Sequence, residues 1–79
     1  MKTVSLTHKK FGERLKELRE KKGKKENRNF TQEDLAELVE VDRSYIGFLE
    51  RGEKNPTLKK LEKIARTFDM TLSELFKGI

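Results

Sequence analysis

Hydrophobic positions recur at helical spacing in five short runs, and the two closest together carry the most information. Between residues 31 and 51, Leu35, Ala36 and Val39 fall at i, i+1 and i+4, and Ile46 and Leu49 fall at i and i+3. Each set marks the buried side of one helix. Thr31 precedes the first run, where its hydroxyl can accept an unpaired amide at the helix start, and Asp42 stands in the equivalent place before the second. Gln32, Glu33 and Asp34 put polar and negative groups against the positive helix end. The pattern predicts helices over residues 32–40 and 43–51. Only Glu40 and Val41 connect the two patterns, so the helices meet at a sharp angle with Val41 in the joint.

The flanking runs complete an all-α design. Phe11, Leu15 and Leu18 at i, i+4 and i+7 predict a helix over residues 8–22, with a basic last turn and Gly23 as its C-terminal cap. After Thr57, a capping residue, Leu58, Leu61, Ile64, Ala65 and Phe68 form a fourth stripe. Thr71-Leu72-Ser73-Glu74 reads as a capping box for a fifth helix, and Leu72, Leu75, Phe76 and Ile79 lie on one face of it. Phe76 and Ile79 either close the core or meet a second copy of the chain. Leu38 falls off the stripe of its helix and is expected to be partly exposed. Residues 8–79 are expected to form one compact five-helix bundle, with residues 1–7 as a tail in which Val4 and Leu6 alternate with polar residues as in a strand. Residues 24–29, Lys-Lys-Glu-Asn-Arg-Asn, are expected to form a mobile loop.

The paired helices form a helix-turn-helix, and the outward face of the second suggests what it contacts. Arg43 and Gly47 form one row; Ser44, Phe48 and Arg51 form another at i, i+4 and i+7. A helix about 10–12 Å wide fits a DNA major groove about 12 Å wide. Arg43, near the helix start, is placed to recognise guanine, Ser44 can bond a base edge or a phosphate, and Phe48 can lie on a thymine methyl. The competing reading of the same pattern is an amphipathic helix with a solvated charged side.

Charge distribution bears on that choice. The net charge is +5. Residues 1–30 carry eleven Lys/Arg against four acids, residues 31–50 one against six, and residues 51–79 seven against four. Basic flanks around an acidic middle suit a protein whose edges grip phosphates while its centre reads bases. Ordinary solubilising charge on helix surfaces is the alternative. There is no cysteine, so disulfides and thiolate metal sites are excluded. The single histidine, His8, has no clustered ligand beside it, and no metal or other cofactor is expected. No apolar run approaches the roughly 18 residues of a membrane span. The stretch Met-Lys-Thr-Val-Ser-Leu-Thr-His-Lys-Lys lacks the continuous apolar segment of a signal peptide, so a cytoplasmic protein with no membrane partner is expected.

Several ordered blocks then give the chain a resemblance. Thr31-Gln32-Glu33-Asp34-Leu35-Ala36, Arg43-Ser44-Tyr45-Ile46, Leu49-Glu50-Arg51-Gly52 and Asn55-Pro56-Thr57-Leu58 resemble the Cro/phage-repressor (XRE-like) helix-turn-helix family over about residues 11–76. The size and the Arg-Ser-Tyr-Ile stretch most resemble small controller proteins of restriction–modification systems. The resemblance implies a lambda-repressor-like fold and a homodimer on near-palindromic double-stranded DNA. It implies base reading by Arg43, Ser44 and Phe48. Thr31, Gln32, Tyr45, Arg51, Lys54 and Asn55 would hold the DNA backbone, with Gln32 also bracing Arg43. Arg19 and Glu50 match positions that form a partly buried ion pair in related repressors, and Phe76 and Ile79 lie where family members dimerise.

Three positions depart from the family pattern. Residues 24–29 interrupt it, and Lys24, Lys25 and Arg28 are candidate extra phosphate contacts, as Lys2 is in an N-terminal arm. Glu40 stands where the family usually has a glycine of positive φ, so it is expected to be strained. Gly47 stands where a base-touching side chain is common.

The expected function is a sequence-specific DNA-binding transcriptional regulator that represses by occupying a promoter or activates by touching RNA polymerase through acidic Glu33, Asp34 and Glu37. The alternative is a protein-interaction module, such as an antitoxin, in which DNA binding is secondary. An enzyme is not expected: the sequence holds no nucleophile–base pair, metal cluster or phosphate-cradling glycine loop.

Overall fold

Five helices, α1 (Leu6–Lys25), α2 (Gln32–Val39), α3 (Arg43–Glu50), α4 (Leu58–Thr67) and α5 (Leu72–Leu75), make up the computed structural model, which describes residues 5–79. Most begin as the sequence predicts. Thr31 and Thr57 each accept an amide three residues on, and Thr71 and Glu74 form both bonds of a capping box. Asp42 occupies the cap position of α3 but makes no side-chain cap hydrogen bond, which corrects the role expected of it.

The first helix is longer than its hydrophobic stripe. Ser5 caps it by accepting the His8 amide at 3.0 Å, so Leu6 is helical rather than part of a strand. Val4 and Lys2 lie outside the described residues. At the other end α1 runs through Gly23 to Lys25. The left-handed residue that ends it is Asn27 (φ 55), and the Arg28 amide closes onto the Gly23 carbonyl at 2.9 Å. Gly23 is therefore a packing glycine. A Cβ there would lie 2.7 Å from the Arg28 carbonyl oxygen and 3.0 Å from the Phe30 nitrogen, so the returning chain leaves no room for a side chain. Lys24 and Lys25 belong to the helix, and the expected loop shrinks to a hydrogen-bonded turn.

The core lies where α3 packs on α1 and α2, with α4 laid on α2 and α5 on α4. Leu15, Leu35, Val39, Ile46, Ile64 and Leu75 are completely buried, each contributing about 1.5–3 kcal/mol by leaving water. Leu61 and Phe68 are half-buried, but Leu58, placed in the same stripe, is 65% exposed at the first position of α4. Periodicity marks a face; it does not say where the neighbouring helix ends.

Two contacts fix α1 against the rest. Gly12 brings the backbones of α1 and α3 together, since a Cβ there would lie 2.5 Å from the carbonyl oxygens of both Leu49 and Glu50. Two residues on, Arg14 donates to the carbonyls of Glu74 (2.7 Å) and Leu75 (3.2 Å), capping the end of α5. Phe76 then lays its ring against Phe11, centroids 5.3 Å apart, which gives it a core-closing role, while Ile79 stays 38% exposed. Among the described residues, no helix is long and apolar enough to cross a membrane.

Candidate nucleic-acid interface

The joint between α2 and α3 sets the geometry of the site. Glu40 adopts the left-handed conformation (φ 65, ψ 48), and the Val41 amide closes onto the Ala36 carbonyl at 2.9 Å. That places Asp42 at the start of α3 with two buried anchors, Ile46 and Leu49, behind it. Glu40 also accepts from Lys63 of α4 at 2.6 Å, and this bond holds its carboxyl below the usual value.

Arg43 and Ser44 stand exposed in the first turn of α3. Beneath them, Arg19 grips Glu50 side-on, Nε to Oε2 at 2.7 Å and Nη2 to Oε1 at 3.1 Å, and its Nη1 donates to the Phe30 carbonyl at 3.0 Å. Both side chains are largely buried, and the Glu50 hydrogen bond raises the proton affinity of Arg19 against the opposing effect of burial. Gln32 donates to the same carboxylate at 3.0 Å. Its amide nitrogen is thus braced by Glu50, a buried carboxylate and so a strong acceptor, which leaves Oε1 as the atom that would accept from Arg43. Thr31, Gln32 and Arg43 line one shallow cleft, with Arg19 at its base.

At the far end of α3, aromatic rings and cations interleave. Phe48 is 38% exposed, with Arg51 5.0 Å and Lys54 5.4 Å from its ring centroid. Lys54 also stands 5.8 Å over half-buried Tyr45, whose phenol burial pushes up. Arg51 donates through Nε to Glu53 at 3.0 Å. Lys54 and Asn55 are exposed in the turn that follows. Sequence reasoning had no role for Glu53; an acid two residues after an arginine, across a turn glycine, was the available signal.

The basic turn lies beside the start of α2. Arg28 reaches Asp34 at 3.1 Å and stacks 5.3 Å over Phe30. Asp34 is already bonded to the Thr31 amide at 2.9 Å. Lys24 and Lys25 are exposed at the end of α1. The structure therefore gathers the candidate contacts around the start of α2 and the outer side of α3 with its following turn. Phe76 stands apart against α1.

Known proteins share this fold. The model of the helix-turn-helix family matches residues 15–75. The control protein C.MunI of a Mycoplasma species is 42% identical over 69 residues, which span 87% of this chain and 86% of that protein. The crystal structure of the restriction-modification controller protein C.AhdI from Aeromonas hydrophila superposes with a TM-score of 0.75 at 44% identity, covering 86% of this chain and 94% of that one. The clp gene regulator ClgR from Corynebacterium glutamicum matches with a TM-score of 0.77 at 25% identity, over 92% of this chain and 71% of that one.

Proposed function

Because the chain belongs to the helix-turn-helix family of DNA-binding transcriptional regulators, we propose that it acts as a homodimer on a near-palindromic operator and controls a restriction–modification system. The family is one of regulators, not enzymes. The observation that carries the reading is the outward side of α3: Arg43 and Ser44 are exposed on a helix whose opposite side is anchored by Ile46 and Leu49. The similarity to C.MunI and C.AhdI, over nearly the full length of both, supports the controller role.

In this mechanism α3 enters the major groove. Arg43 donates both guanidinium ends to a guanine, Ser44 bonds an adjacent edge, and Phe48 offers its open side to a thymine methyl. Thr31, Gln32, Tyr45, Lys54 and Asn55 hold the flanking phosphates and fix the register. Lys24, Lys25 and Arg28 extend that grip beyond the start of α2. Two copies joined near Ile79, with the outer side of Phe76, would set their reading helices about 34 Å apart, one DNA turn. Promoter occupancy regulates transcription, and Glu33 and Glu37, exposed beside Leu38, form a surface offered to RNA polymerase.

The test is selection from a random duplex pool at about 0.15 M salt, where long-range attraction is screened. A palindromic motif with half-sites about one turn apart, lost at one position in Arg43→Ala, is the expected result. Enrichment of no motif, with binding that fades as salt rises, would leave a basic helical domain and redirect the search to a protein partner.

A further inference from the structure

Arg43 and Gly47 lie on one outward row of α3, and Arg51 is the residue that closes the helix, yet Gly47 is buried. Arg51 covers it. A Cβ at residue 47 would stand 3.2 Å from Arg51 Nη1 and 3.9 Å from its Cζ, with Gln32 Oε1 at 3.7 Å. The Arg51 side chain runs back along the helix, the direction helical side chains favour. Its guanidinium fills the space that a side chain at 47 would take. Two neighbours hold it there, the Phe48 ring on one side and Glu53 through Nε on the other. Glu53 is itself placed by backbone, its amide donating to the Phe48 carbonyl at 2.8 Å across the turn at Gly52 (φ 75).

This arrangement changes what Arg51 can recognise. With Nε engaged, the edge left open is the Nη1/Nη2 fork, the pair that bonds guanine O6 and N7 together. The Glu53 carboxylate offsets the charge of Arg51 and so weakens it as a phosphate clamp. Its position over Gly47 puts the guanidinium one helical turn, about 5.4 Å, from the Arg43 end of the row.

We propose that Arg51 is a second base-reading arginine, admitted to the groove face by the missing side chain of Gly47 and positioned by Phe48 and Glu53. The proposal rests on α3 entering the major groove as described above.

The random-duplex selection is run with the wild type, Arg51→Ala and Gly47→Ala, followed by salt titrations on the best site. The wild type is expected to enrich a palindromic motif. Arg51→Ala should lose preference at one position per half-site, different from that lost in Arg43→Ala, with discrimination there falling about 5- to 150-fold and the salt slope unchanged. Gly47→Ala should weaken the same preference, because its Cβ would meet Arg51 Nη1 at 3.2 Å and push the guanidinium aside by a few tenths of an ångström; a Tm no lower than that of the wild type rules out unfolding as the cause. A loss in Arg51→Ala that is uniform over all sequences, with the slope reduced by about one, makes Arg51 a phosphate clamp and overturns the proposal. A motif that survives unchanged in both variants overturns it while leaving the operator reading intact. No motif in the wild type overturns both.

Discussion

Arg19 and Glu50 meet through two bonds, at 2.7 and 3.1 Å, and so tie the first helix to the third at the floor of the candidate interface. Removing one partner strands the other charge in a nearly dry site. Arg19→Met is expected to destabilise the protein by about 3 kcal/mol or more, a large part of the roughly 5–15 kcal/mol available to a domain. Arg19→Met with Glu50→Leu should recover much of that loss. Urea unfolding of the wild type and both variants checks it.

Gly12→Ala is expected to cost about 3 kcal/mol or more, because the new methyl has only carbonyl oxygens of α3 to displace. Thermal melts read the effect directly. A variant as stable as the wild type would mean that α1 and α3 can separate without loss.

Much of this fold is legible in the sequence, and the misses share a cause. The threonine caps and the α2–α3 joint are local patterns, and local patterns predict local structure. Gly23 looked like a left-handed cap but is a glycine for lack of space, and Asn27 takes the positive φ instead. Gly12 gave only a faint signal, a costly mid-helix glycine beside the core residue Phe11. Arg14 gave none, because its partners are carbonyls about sixty residues away. In the candidate site, Arg43 and Ser44 are candidates from their place on the outward side of a helix, and Gln32 from the family resemblance alone. That Gln32 is braced by Glu50, and Arg51 held by Glu53, depends on which acceptor tertiary packing brings near.

Glu40→Gly is expected to raise Tm by about 4 °C, relief of the left-handed strain outweighing the exposed bond to Lys63. Repeating the change in a Lys63→Ala background isolates the backbone effect and should give the larger rise. A fall in Tm in both backgrounds would show that the joint does not need the left-handed form.

Acid should weaken the fold through its capping carboxylates. The Thr31 amide, then the Thr31 side chain and Arg28, hold Asp34 below its ordinary value, and Thr71 does the same for Glu74. Groups depressed in this way bind protons less readily when folded. Their stabilisation is complete above their ordinary values, near pH 4, and is lost as pH falls through the depressed ones. Tm should hold from about pH 7 to about pH 5 and then drop, with a shallower drop in Asp34→Asn.

Replacing Lys24, Lys25 and Arg28 together with alanine should lower the salt dependence of DNA binding by roughly three units, while leaving the selected motif unchanged. A slope equal to that of the wild type would assign Arg28 to its bond with Asp34 alone.

The fork that Arg14 places on the last carbonyls of α5 ties a four-residue helix to a twenty-residue one. Since α1 is in turn pressed against α3 at Gly12, the chain end and α3 are joined through one helix, as by a strut. In a dimer joined at that end, the strut would act as a ruler. The separation of the two reading helices would be set by the length of α1 between Gly12 and Arg14 and its neighbours, and an operator with one base pair inserted between its half-sites would meet a protein unable to stretch.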